Sequence, residues 1–223
     1  LGIVAALTVS ERRVINEYNR VLSARSYPFY CLKSPFKGYS LLKETKQGSG
    51  ICAAVILCVF TAVGIISTQL TAFHYNPDSG RQFNIFAVLA ETLGIFLLFV
   101  ICNWAVSTLA DGKGKFGEII IFTSYALIPL IITEVMLLVS SNVFSLKERA
   151  FYGIIRSVGL IWTAVHIFVS NKEVHEYSGG KALLVLFGSV FGMYLLILII
   201  TVAYSMFAQL LSFISMVISE IRA

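Results

Sequence analysis

Five runs of about 20 apolar residues, at 51–73, 85–108, 118–140, 150–170 and 182–204, take up most of this 223-residue chain. A hydrocarbon layer roughly 30 Å thick needs about that many residues per helical crossing. Within it, a helix bonds its backbone polar groups to one another. The sequence therefore predicts an all-α, polytopic integral membrane bundle, with five spans over 51–204 and amphipathic cytoplasmic helices before them. Composition agrees, since 57 % of residues are hydrophobic, 13 % are charged and the mean hydropathy is +0.84. An ordinary globular domain carries about a quarter charged residues.

Lysine and arginine sort between the loops. Eight precede the first span, Lys113 and Lys115 join spans two and three, and Lys172 and Lys181 join spans four and five. The other side has Arg81, Lys147, Arg149 and Arg222. Positive charge collects on the cytoplasmic side, so the basic region 10–50 and the even loops are expected there, with the C-terminus extracytoplasmic. The expected location is a prokaryotic plasma membrane, with Golgi or ER membrane as the alternative. This bias, together with attraction to anionic lipid, accounts for the net charge of +5 and does not point to nucleic acid. The opening "LGIVAALTV", followed by "SERR", reads as the end of a further membrane helix at 1–9. Val14, Tyr18, Val21 and Leu22 then repeat at helical spacing. In "KSPFKGYSLLKETK", Ser34 can cap and Pro35 suits a first turn, while Phe36, Tyr39 and Leu42 alternate with lysines. That pattern predicts a short helix in the headgroup layer.

Within the fourth run stands Arg156, a permanent charge that needs a partner at membrane depth. Glu91 in span two and Glu134 in span three lie, like Arg156, six residues from the extracytoplasmic ends of their runs, hence about 9 Å deep. Glu91, Glu134 and Arg156 are thus expected to form an intramembrane charge cluster, either a structural clasp or a proton site. Pro129 should kink span three. Gly188 and Gly192 have the spacing of close helix approach, within the chain or between copies. The last apolar run continues to residue 218, about 55 Å of helix. Beyond Tyr204 it carries a polar stripe of Ser205, Gln209, Ser212, Ser215 and Ser219. Residues 205–223 are therefore expected to be a surface or partner-docking helix. The predicted spans contain no aspartate for a paired-Asp protease, the chain has no HExxH motif, and its serines have no histidine at matching depth. Neither an enzyme nor a cofactor is implied, and the four cysteines read as small apolar residues.

The basic "YPFYCLKSPFKGYSLLKE", five closely spaced spans, the connection "NWAVSTLADGKGKFGEI" and "SYALIPLII" in span three together resemble the Yip domain family over about residues 27–205. The resemblance implies a five-span protein with a cytoplasmic N-terminal side. In eukaryotic members it implies association with prenylated Rab GTPases. This chain lacks their Asp-Leu-Tyr-Gly-Pro signature, so Rab binding is not carried over, and the likeness is to the prokaryotic branch. The expectation is a non-catalytic scaffold or accessory subunit among other membrane subunits, such as those of an ABC-type solute importer. The alternative is a small secondary transporter using the Glu/Arg cluster.

Overall fold

The computed structural model describes residues 26–76 and 82–222, the side chains of 218, 219, 221 and 222 apart. The expected helix end at 1–9 and the helical pattern from Val14 to Leu22 lie outside the described residues. Among those described there is no strand.

Two short helices come first. Helix α1 (Tyr27–Lys33) has Pro28 in its first turn, and α2 (Pro35–Thr45) begins on Pro35. Ser34 occupies the N-cap position of α2, but the bond there is made by its backbone: its carbonyl accepts from Gly38 N–H at 2.7 Å. The hairpin closes so tightly that a Cβ on Gly38 would lie 2.7 Å from Cys31 Cα. The apolar face of α2 meets protein rather than headgroups alone, because Tyr39 and Leu42 are buried in the main core with Tyr27 and Cys31. Phe36 stays exposed.

Each span is long and apolar enough to cross a bilayer. Span one is α3 (Gly50–Leu70), capped by Ser49 Oγ, which accepts from Cys52 N–H. Span two begins as α4 (Ile85–Leu89) under an Asn84 cap, passes through a π turn at Ala90–Gly94, and continues as α5 (Ile95–Leu109). Span three is divided. Helix α6 (Phe116–Ala126) ends one residue before α7 (Ile128–Val143), with Pro129 in the first turn of α7, as its missing N–H requires. Ser124 Oγ donates to the Ile120 carbonyl and Thr133 Oγ1 to that of Pro129, so both sides of the break gain side-chain bonds. Span four is a 3-10 turn (Leu146–Glu148) running into α8 (Arg149–His175). Span five is α9 (Gly179–Arg222), 44 residues without interruption.

Helix α8 is the central element, touching α6, α7, α2 and α9, while α9 leans mainly on α5. Three glycines set these distances. Gly159 of α8 sits so close to α7 that a Cβ there would overlap the Thr133 side chain. Gly188 lies against Val106 of α5, and Gly192 lies against Cys102, so this glycine pair brings α9 onto span two. The core is concentrated at the end of the bundle that holds α1 and α2, called the basic end below.

Candidate functional site

At the basic end, three spans are tied together by buried amides. Asn103 of α5 donates through Nδ2 to Asn171 Oδ1 at 2.8 Å and to Ser189 Oγ at 3.2 Å. Asn171 Nδ2 donates to the Ala182 carbonyl, and Ser189 Oγ to that of Val185. His175, at the last turn of α8, accepts the Gly114 N–H on Nδ1 at 3.3 Å. Its proton therefore sits on Nε2 and is donated to Asn103 Oδ1 at 3.0 Å. The loop "DGKG" fits onto this ring only as glycines, since a Cβ on Gly112 or Gly114 would come within 3 Å of His175. Tyr177 stacks on His175 and donates its hydroxyl to the Ser107 carbonyl. At the rim, Lys113 and Glu176 pair at 2.7 Å, and the ammonium holds the Glu176 carboxyl below the usual carboxylate range. A fully bonded network of this kind fixes which helices adjoin, something apolar packing in lipid specifies poorly.

Sequence reading missed this network. Its signal was present as Asn103 and Asn171 near the ends of two apolar runs, because an amide there needs a partner on another helix. His175, beyond the expected end of span four at residue 170, is helical and buried. His166 is a buried packing residue, edge-on to Trp162 and Tyr39, with its Nδ1 3.5 Å from the Tyr39 hydroxyl.

The residues of the expected charge cluster stand on three helical segments. Arg156 and Glu134 stand on the adjoining helices α8 and α7, but no hydrogen bond or ion pair joins them, and the arginine is exposed. Glu91 stands elsewhere. It is the second residue of the π turn and lines a cavity of about 440 Å³, on whose walls neither Glu134 nor Arg156 appears. All five spans contribute to that cavity, which is almost wholly apolar apart from Glu91, Thr92 and Thr123.

On α9, Ser205 Oγ donates to the Thr201 carbonyl and Ser215 Oγ to that of Ser212. These members of the stripe thus satisfy themselves on their own helix. Gln209 and Ser212 are exposed, and the Ser219 side chain lies outside the described residues.

An all-α bundle of five membrane helices, closed at one end by a docked amphipathic hairpin and an amide network, defines a polytopic helical membrane protein. The Yip1 domain family model matches residues 29–201, and the chain belongs to that family. No curated protein and no solved structure matches it.

Proposed function

We propose that the chain is a non-catalytic scaffold or accessory subunit of a larger membrane assembly, an ABC-type solute importer being the kind of assembly it fits. The observation behind this reading is the overhang of α9. Forty-four residues of helix are about 66 Å long, more than twice the hydrocarbon thickness. Every described side chain from Ile197 to Val217 is exposed, whichever way it points. Phe207, Leu211, Phe213 and Ile214 are among them, and covering each is worth roughly 1.5–3 kcal/mol. A helix lying flat on the leaflet would need a break after Tyr204, whereas α9 runs on without one. The family match stops at residue 201, before the overhang. A neighbouring membrane subunit that covers it on several sides satisfies both its length and its composition.

The test compares the full chain with one truncated after Tyr204, each extracted from its native membrane into nanodiscs and weighed by native mass spectrometry. The full chain should appear in a stoichiometric complex with another polytopic subunit. The truncated chain should insert normally and appear alone. A full chain that is always monomeric and carries solute flux in liposomes would instead make it a small secondary transporter, with Glu91, Glu134 and Arg156 as the candidate ion site.

A further inference from the structure

Glu91 is an ionisable group of the bundle that the fold leaves unexplained. It lies six residues, about 9 Å, along the helix from Ile85 at the start of span two, and among the described residues no cation pairs with it. An intramembrane carboxylate without a partner marks a ligand or ion site by default, because lipid offers it nothing. Its side chain is exposed and lies among the residues lining a ready-made space. The 440 Å³ cavity falls within the range of small-molecule sites, roughly 300–1,000 Å³. It is walled by Phe60, Phe96, Leu127, Ile167 and Val190, one from each span.

Two irregularities in the membrane helices border this cavity. The π turn carries Glu91 and Thr92 on one wall, and the break above Pro129 carries Leu127 on another. Such departures from regular helix recur at binding sites because they re-aim side chains.

A second polar group points the same way. Thr61, Thr92, Thr133 and Thr163 each donate to the carbonyl four residues earlier, the usual way for a membrane threonine to satisfy its hydroxyl. Thr123 does not. It is 6 % exposed, lines the cavity, and makes no hydrogen bond among the described residues. The cavity therefore presents an apolar body with one carboxyl group and one uncommitted hydroxyl.

We propose that this cavity is a binding site for a membrane-dissolved amphiphile with a cationic amine head, the ammonium on Glu91 and the hydrocarbon along the aromatic and aliphatic walls, with Thr123 as the inner polar contact. A neutral or anionic chain of the same length fits the walls and leaves the carboxylate bare. Charge complementarity therefore selects the amine. The site is separate from the α9 overhang and does not depend on what covers it.

The full chain in nanodiscs is exposed to dodecylamine bearing a photoactivatable diazirine, and adducts are mapped by mass spectrometry. Adducts should concentrate on residues 86–99 and 123–130 and saturate. Excess unlabelled dodecylamine should displace them, with dodecanol and dodecanoate at least tenfold weaker. Glu91→Gln should weaken amine binding at least tenfold with an unchanged Tm, since among the described residues that side chain makes no hydrogen bond or ion pair. Thr123→Val should weaken it severalfold. Adducts spread evenly over the lipid-facing surface, equal competition by dodecanol, or an unaltered Glu91→Gln variant would each overturn the proposal.

Discussion

Cys31 and Tyr39 close the hairpin from inside, and both are acids whose ionised form the packing excludes. Burial pushes the Cys31 thiol from 9.0 up to about 12. Burial, followed by the neighbouring Cys31 and Tyr125, also pushes the Tyr39 hydroxyl up. Each keeps its proton in the fold and loses it near the ordinary value once the hairpin opens. The folded hairpin thus binds more protons above pH 9. Its stability is intact below pH 9 and falls as pH rises towards 12, by at most about 1.4 kcal/mol per pH unit for the thiol. With Cys52, Cys58 and Cys102 changed to Ala, Cys31 should react with maleimide far more slowly than a free cysteine at pH 7.5, and the gap should narrow above pH 9. Labelling at the free-cysteine rate at pH 7.5 would show that the hairpin is not docked. Tyr39 and Leu42 were legible in the sequence as one apolar face; what covers that face was not. Amphipathic spacing reports a surface in need of cover and is silent on whether lipid or protein supplies it.

Among the elements, the spans were legible because length and apolarity are what a bilayer selects. The break in span three followed from Pro129 alone. The joining of Glu91, Glu134 and Arg156 was inferred from depth, and equal depth fixes height without fixing rotation about the helix axis. Glu91 also sits on a π turn, whose extra residue turns the helix face and carries no compositional mark. The α7–α8 contact depends instead on a residue without a side chain. Gly159→Ala places a methyl inside Thr133, and with α8 anchored on four neighbours there is little room to retreat. Overpacking of this kind costs roughly 1–3 kcal/mol. Thermal unfolding in detergent should show a lowered Tm for Gly159→Ala and substantial recovery in Gly159→Ala with Thr133→Ala. If the second change brings no recovery, the contact is not what limits that interface.

At the scale of the molecule, the placement of lysine and arginine favours one direction in the membrane, and labelling tests it. Lys113 and Lys115 join spans two and three at the basic end, while Lys147 lies across the bundle in the turn before span four. In a background without other cysteines, Lys147→Cys should react with a membrane-impermeant maleimide on intact cells, and Lys113→Cys only after permeabilisation. The reverse pattern would invert the orientation expected from charge. The hairpin has a further consequence in time. Tyr39 packs on His166, 127 residues later in the chain. At a synthesis rate of about 5–20 residues per second, on the order of ten seconds separates the making of α2 from the making of its partner. During that interval its lysines and aromatics suit it to rest on the bilayer surface. The headgroup layer is thus the waiting place of a helix whose destination is the protein, and docking is a late event in biogenesis.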